Sequence, residues 1–361
     1  LTKKEDIVTI SRISLKVCKT VFGNGAVGKN SAIPIELHFV FEGWNDFINT
    51  RRVNSWNNKN YSDIVKEIAT QSNFKNIEVS QIGNQPESTI QPYWSNLTMI
   101  RWLQERSYNP PNMKYESHYE FGVRLDGTFF FKSISDLFEE QKQNLKNGNI
   151  YVFRLEGQRE VNKRTENVTF DNNQSNLSEI PVNFVEFSNI ENYMDGVVQG
   201  AGGITSVNFD FENRKILNTK NIKYSDSKIL QLSDAGAIHR DHQTTNMLFN
   251  GGRDIDSAKY SFSKMSNISN YIQDFTIKYN RIADISIGDI VEVIIPSDLY
   301  SIIPFNEAYS GFYIVNSVHM TMDFERNTQF TTLGLSRQGF NGKELISDGF
   351  VNSKNGRADL K

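Results

Sequence analysis

One stretch of the chain has the spacing of a phosphate-binding loop: Gly23-x4-Gly28-Lys29. Such a loop needs a Ser or Thr directly after the lysine to hold magnesium. It also needs a following helix whose N-terminal amides face the phosphate. Here Asn30 stands in the hydroxyl position, Ser31 comes one residue late, and Ile33 to Phe39 reads as strand. The context favours a loop between two strands. His239-Arg240-Asp241-His242 offers two imidazoles at i and i+3, which a helix would place on one face, but zinc wants two more ligands. Asp234, Asp254 or Asp256 could serve only by assumption, and no zincin-type glutamate follows. Glu139 and Glu140 are adjacent on a helix, so they point about 100° apart and cannot address one substrate as an acid/base pair. No Gly-x-Ser-x-Gly elbow is present. Cys18, the single cysteine, excludes an intrachain disulfide and a Cys-built zinc site. It falls mid-strand and reads as a small buried hydrophobe. Asn96-Leu97-Thr98 would matter as a glycosylation triplet only in a secretory context, for which nothing here argues. These residues assign no catalytic, cofactor-binding or metal-ligating side chain.

The elements that would have to position any site are mixed. Ile7 to Val17 alternates as a strand, and Ile33 to Phe41 is a second, with the Gly-rich stretch between them. Trp44 to Asn60 is crowded with Asn and Trp and reads as loop. Ser62 to Gln71 is a helix with Ser62 as N-cap, Asp63 favoured by the helix dipole, and Ile64, Val65, Ile68 and Ala69 as its apolar stripe. Ser95 caps a second helix running to Arg106, with Met99, Ile100, Trp102 and Leu103 on its buried side, and Asn109-Pro110-Pro111 stops any continuation. Tyr119 to Leu125 and Thr128 to Phe131 form a hairpin about Asp126-Gly127, expected as a type I′ turn. A third helix spans Ser135 to Lys146, and Ile150 to Leu155 is a strand. The middle is less regular, with strand-like pieces at Phe184–Phe187 and Val207–Phe211, and Asp241 to Asp256 reads as a long loop or boundary. Strands return at Phe275–Tyr279, Asp289–Ile295, Phe312–Met322 and Thr328–Ser336. From Gly339 to Lys361 periodicity vanishes, so this is expected to be a tail, a linker or a partner-binding arm.

Composition narrows the function classes. The 361 residues suggest two or three domains and ample length for a core. Thirty-nine basic and 42 acidic residues give a net charge of -3, which leaves no electrostatic footprint for nucleic acid or an anionic membrane. Most of the aromatic residues fall at core positions of strands and helices rather than among basic residues, which argues against a stacking platform. Forty asparagines and 25 phenylalanines point to many short strands joined by polar loops. No apolar run approaches the ~18 residues of a membrane span. The start Leu1-Thr2-Lys3-Lys4 is not expected to be a signal peptide, since Glu5 and Asp6 follow and no apolar core does. The absence of an initiator Met leads us to expect a missing N-terminal piece.

Several segments, in order, carry a resemblance. Tyr61-Ser62-Asp63-Ile64-Val65-Lys66-Glu67-Ile68-Ala69 resembles the helix that opens the inserted part of the phage baseplate hub family. That family takes in the T-even baseplate hub, the phage late control D protein and the N-terminal part of type VI secretion VgrG spikes. Trp94 to Leu103 is similar to the family's next helix, and the hairpin from Phe121 to Phe131 to the one that follows it. Ile287-Gly288-Asp289-Ile290-Val291, Ile294-Ile295-Pro296, Ser310 to His319 and Thr328 to Ser336 resemble the strands of its second tube domain. The resemblance covers about half the chain, mostly 33–155 and 270–336. The segment 1–41 is shorter than the family's first tube domain, and no fused spike domain follows, so the arrangement with hub and spike as separate chains is the nearer likeness.

The resemblance implies an α+β fold, mostly antiparallel β, with two tube-like β-barrel domains, a helical insertion and a less regular middle domain. Expected boundaries are 1–56 for part of the first tube-like domain and 57–155 for the helix-containing part of the second. The irregular middle, 156–255, would partly complete the first, 256–338 would hold the C-terminal strands of the second, and 339–361 is the tail. The implied function has no chemistry. A homotrimeric pseudo-sixfold ring would adapt a hexameric tail tube to a trimeric central spike and leave a channel for genome passage. Expected partners are further copies of the chain, the central spike protein, tail tube or tube-initiator proteins and the surrounding baseplate wedge proteins. No cofactor, specific nucleic acid or membrane insertion is expected, and the location would be the virion tail baseplate after synthesis in the host cytoplasm. Interface positions are expected at Ile287, Asp289, Val291, Val293, Phe312, Ile314, Val318, Met320 and Trp102, because strands 286–295 and 312–336 are read as pairing edges. The alternative reading is a tail-associated cell-wall hydrolase or carbohydrate-binding protein.

Overall fold

The computed structural model describes residues 15–22, 35–84, 86–110, 112–113, 117–124, 126–146, 151–155, 179–182, 184–189, 203–210, 213–223, 245–250, 257–270, 273–279, 285–295, 306, 309–323 and 328–337. The chain divides into two compact units. One takes in 1–79, 86–103 and 122–131, and the other 80–85, 104–121 and 132–361.

In the first unit, β1 (Leu15–Phe22) and β2 (Ile35–Phe41) form an antiparallel pair, α1 (Glu42–Asn49) follows, and β3 (Arg51–Lys59) pairs antiparallel with β5 (Glu87–Ser95). Between these last two lie α2 (Tyr61–Gln71) and the short β4 (Ile77–Val79), and α3 (Asn96–Arg106) begins directly after β5. The hairpin of β6 (Tyr119–Val123) and β7 (Phe129–Ser133), of which only 122–131 belongs to the first unit, joins β4 in a three-stranded sheet ordered β4–β7–β6. The apolar stripe of α2 is buried as its spacing requires, with Ile64, Val65, Ile68 and Ala69 at 0% exposure. Its start differs by one turn position: helix begins at Tyr61 with Asn60 as cap, so Ser62 is already helical. Its end is a Schellman motif. Asn73 sits at φ 65°, Asn73 N–H donates to the Thr70 carbonyl and Phe74 N–H to the Ala69 carbonyl. Asparagine tolerates this left-handed conformation better than most residues, and the turn delivers Phe74 onto Phe47 and Phe129, with ring centroids 5.9 and 5.0 Å away.

That aromatic cluster explains the largest departure from the sequence reading. The crowding of Asn and Trp at 44–60 suggested loop, yet the segment is α1 followed by β3. Phe47 is fully buried and Gly43 lets α1 approach closely, since a Cβ there would lie 2.8 Å from the Phe74 ring. Burial of one aromatic side chain outweighs the weak local preference of the asparagines around it. The hairpin turn also differs. Among its described residues only Gly127 has positive φ, Gly127 N–H donates to the Arg124 carbonyl and Arg124 N–H to the Thr128 carbonyl. This is a three-residue loop with a left-handed glycine rather than a type I′ pair.

The second unit is built on a seven-stranded sheet. Its members are β8 (Val152–Leu155), β9 (Glu179–Val182), β10 (Phe184–Asn189), β14 (Gln273–Tyr279), β15 (Ile290–Ile294), β16 (Gly311–Asp323) and β17 (Thr328–Arg337), in the order β10–β14–β17–β16–β15–β8–β9. Pairing is antiparallel from β10 through β15 and parallel for β15–β8 and β8–β9. One core cluster draws Phe153, Val182, Phe275, Ile277, Tyr279, Val291, Val293, Tyr313, Val315, Leu333 and Leu335 from six of these strands. The alternating residues Ile290, Phe312 and Ile314 face the other way and are covered by Ile134, Leu137 and Phe138 of α4 (Ile134–Lys146). A second sheet, ordered β12–β11–β13, contains β11 (Gly203–Asp210), β12 (Lys215–Lys223) and β13 (Thr245–Asn250), and α5 (Ser257–Asn270) lies against β11 and β12. β13 falls inside the stretch 241–256 that reads as loop.

The fold is therefore mixed α+β with mostly antiparallel sheets. The expectation of two closed barrels is not met in that form: among the described residues no sheet closes on itself by hydrogen bonding. No helix among them is long and apolar enough to cross a membrane.

Candidate functional site

Gly23 to Asn30 and His239 to His242 lie outside the described residues. What flanks the first of these is informative: Phe22 pairs antiparallel with Ile35, so the segment joins two strands and no helix follows it as a phosphate loop requires. Glu139 and Glu140 are both exposed on α4, and Glu140 is held by Lys132 at 2.6 Å. No cluster of three or more metal-ligating side chains occurs among the described residues. The polar centre of the second unit is a packed one. His118 Nε2 lies 2.8 Å from Glu120 Oε1, with both side chains largely covered, and the Tyr119 hydroxyl donates to the Gln81 carbonyl at 2.6 Å. Burial, and then Asp136, push the Tyr119 hydroxyl well above the usual phenol range. Arg337 is fully buried, with Nη1 donating to the Ser310 carbonyl at 3.0 Å and its guanidinium 4.3 Å from the Tyr313 ring.

The nine expected interface positions separate by burial. Val291, Val293, Phe312 and Ile314 belong to the two core clusters. Their strands are interior: β15 has β16 on one side and β8 on the other, and β16 lies between β15 and β17. The expectation of a free pairing edge is corrected for β15 and for Gly311–Ile314 of β16, which have strands on both sides, whereas beyond Val315 β16 pairs with β17 alone among the described residues. Ile287 and Asp289 form a turn instead. Asp289 N–H donates to the Ser286 carbonyl, Asp289 Oδ2 accepts from Ser286 N–H at 2.8 Å, and Gly288 takes φ 88° as the third residue of a type II turn requires. Val318 packs partly against the core, and Met320 is half-buried. Trp102 is half-buried on α3, 6.1 Å from the Tyr61 ring, and the Tyr61 hydroxyl bonds Glu87.

Most of the large apolar side chains left exposed among the described residues lie elsewhere, on two ribbons of the first unit. The β3–β5 ribbon buries Trp56, Thr89 and Gln91 on one face. The opposite face carries Val53 at 70% and Ile90 at 66% exposure, with Pro92 directly across from Val53 and Ser55 across from Ile90. The register slips between Arg52 and Val53, and Tyr93 is the extra residue, at φ 53° and 63% exposed, with the Arg51 guanidinium 5.9 Å from its ring. A left-handed tyrosine costs about 1–3 kcal/mol. The β1–β2 ribbon shows the same feature on a smaller scale, with Val17 and Phe39 as direct cross-strand partners at 51% and 53% exposure. The solvent face of an antiparallel sheet is ordinarily polar, so exposed apolar side chains sharing a face mark an interaction surface. Sequence reasoning missed both. Val53 and Ser55 alternate weakly, and nothing local discloses that Ile90, 35 residues further on, shares their face.

No family model matches the chain, and no curated protein does. Among solved structures the chain is similar to the tail protein from Neisseria meningitidis MC58, with 11% identity over 89% of this chain and 80% of that one, at a TM-score of 0.49. It is similar to the 43 kDa tail protein of prophage MuSo2 from Shewanella oneidensis, with 10% identity over 89% and 76%, again at 0.49. A chain of the phage P2 baseplate in its activated conformation is matched with 9% identity over 92% and 83%, at 0.24. The structures this chain is similar to are thus phage tail and baseplate proteins.

Proposed function

We propose that this chain is the structural hub of a contractile phage-tail baseplate and acts without catalysis. Three copies form a pseudo-sixfold ring that adapts the hexameric tail tube to a trimeric central spike and leaves a channel for the genome. Its place is the virion tail, among spike, tube or tube-initiator, and wedge proteins. The observation that carries the reading is the order of the seven-stranded sheet. Its two end strands, β9 and β10, are consecutive in the chain and only Asn183 stands between them. A chain that leaves one end of a sheet and enters the other one residue later brings the two ends together. β9 pairs with β8 and β10 with β14, so the chain exchanges one end of the sheet for the other between Val182 and Phe184. The sheet then wraps the core cluster as a tube-like module, and the ordered resemblance at 270–336 falls on the same strands. Such a module offers a wall. The modest negative charge of the chain suits a conduit for DNA, since like charge lowers adhesion to phosphate. The sequence-level domain division, with a first tube-like domain drawn from 1–56 and part of 156–255, belongs to this proposal.

Light scattering tests it. The expected mass is three times 41.4 kDa, and particle images should show a ring with an open centre. A stable monomer at micromolar concentration overturns the reading.

A further inference from the structure

We infer that the two apolar ribbons of the first unit are the two halves of the contact between neighbouring copies: the β1–β2 face of one copy packs on the β3–β5 face of the next. This rests on the trimeric reading above and adds to it the surfaces that do the joining. A ring of three has heterologous contacts, so every copy must present two different patches, one for each neighbour. Six of the seven large hydrophobic side chains exposed among the described residues lie in the first unit, and the two ribbons carry five of them: Val17 and Phe39 on one, Val53, Ile90 and Tyr93 on the other. The sixth, Ile48, is on α1, which lies against both β1–β2 and β5.

The occupant follows from the shape and the area. Each ribbon has two strands among the described residues and already packs one way, β3–β5 through Trp56, Thr89 and Gln91 and β1–β2 against α1, so what remains uncovered is a second face that carries apolar side chains where an antiparallel ribbon is ordinarily polar. Two such faces stacked cover each other. The five side chains leave roughly 500 Å² of apolar surface, taking about 100 Å² for each. A standard interface buries about 1,600 Å², a little over half of it apolar, so the ribbons supply more than half of the apolar share. The rigid pieces are suited to this. Tyr93 is fixed by its bulge and by Arg51, and Pro92 beside it has little freedom to lose.

The test uses the full-length chain with Cys18→Ser. One preparation carries Phe39→Cys and the other Ile90→Cys, and a short bifunctional maleimide is added to each alone and to the mixture after subunit exchange. The expected result is a cross-linked pair in the mixture and almost none in either preparation alone. Separately, Val53→Asp and Ile90→Asp should each weaken assembly at least ~30-fold, the loss of a hot-spot side chain, while the melting temperature of the dissociated chain is unchanged. If the trimer survives both substitutions and no mixed cross-link forms, the ribbons face a different baseplate protein and the inference falls while the hub reading stands. Cross-linking within the Ile90→Cys preparation alone means a like-on-like contact and also overturns it. If the unsubstituted chain is a monomer, the hub reading itself fails.

Discussion

Asparagine does much of the specifying at the level of single residues. Asn73 ends α2 in the left-handed region, and Asn58 takes φ 52° at the second slip of the β3–β5 register. Others are buried. Asn54 Nδ2 donates to Gln91 Oε1 at 3.1 Å, Gln91 Nε2 to Asn96 Oδ1 at 3.2 Å, and Asn96 Nδ2 to Ser72 Oγ at 2.8 Å, with Gln91 and Asn96 at 0% exposure. The chain of amides ties the ribbon to the ends of both helices. Asn96→Ala should therefore lower stability by about 1–3 kcal/mol in urea unfolding, because it strands a buried donor and acceptor. Gly83 is a steric case. A Cβ there would lie 2.7 Å from the Asn109 carbonyl oxygen, which is backbone and cannot swing aside, so Gly83→Ala should cost about 1–3 kcal/mol by the same measurement. Asp274 is an electrostatic one. Burial raises its pKa from 3.8 to about 6. The folded chain then holds the proton more tightly than the unfolded chain, so this group's stabilisation is complete below about pH 4 and is lost as pH rises to about 6. Allowing for its partial exposure, the loss is about 1–2 kcal/mol. Asp274→Asn should flatten the fall in melting temperature between those pH values, and an unchanged slope would assign it to other groups.

At the scale of elements, periodicity was a good guide where an element buries a regular face. The stripe on α2, Met99, Ile100 and Leu103 on α3, and the alternation of β14 are legible in the sequence and buried as read, whereas on β16 only Phe312 and Ile314 of the alternating set share a buried face, since the register shift between Val315 and Ser317 turns Val318 to the opposite cluster. It failed where an element is held by one or two side chains. α1 depends on Phe47, and β3 buries only Trp56 on its covered face. Turn chemistry was legible to the residue but not to the type: Asp126-Gly127 turns the chain, yet Asp126 Oδ1 accepts from Thr128 N–H at 2.8 Å and selects the longer loop. The seven-stranded sheet makes its own prediction. Leu335 on β17 has 0% exposure in a cluster fed by six strands. Leu335→Ala should cost about 2–5 kcal/mol, whereas Thr332→Ala on the same strand, half-buried, should stay within about 1 kcal/mol.

At the scale of the whole chain, strand pairing bears on where an interface can lie. Strands 286–295 and 312–336 read as edges because their residues are β-prone and apolar, but those are equally the marks of an interior strand. Only strand pairing tells the two apart, and it places β15 and the start of β16 in the interior. Among the described residues five of the seven exposed large hydrophobic side chains lie on the two ribbons, so the proposed contact predicts that assembly responds to Val53 and Ile90 and not to truncations at Val291 or Val293 that leave the fold intact. The sequence by itself determined the classes of chemistry to set aside, the helices and strands with regular buried faces, and the ordered resemblance to baseplate hubs. Each of these rests on types and spacings within one segment. Tertiary structure alone decided which strands are interior, which asparagines are buried, and which apolar side chains remain in water. Those depend on pairings such as Ser55 with Ile90 or Phe153 with Val293. Free energy of burial is set by what lies across from a side chain, and residues that far apart in sequence carry no local trace of having met.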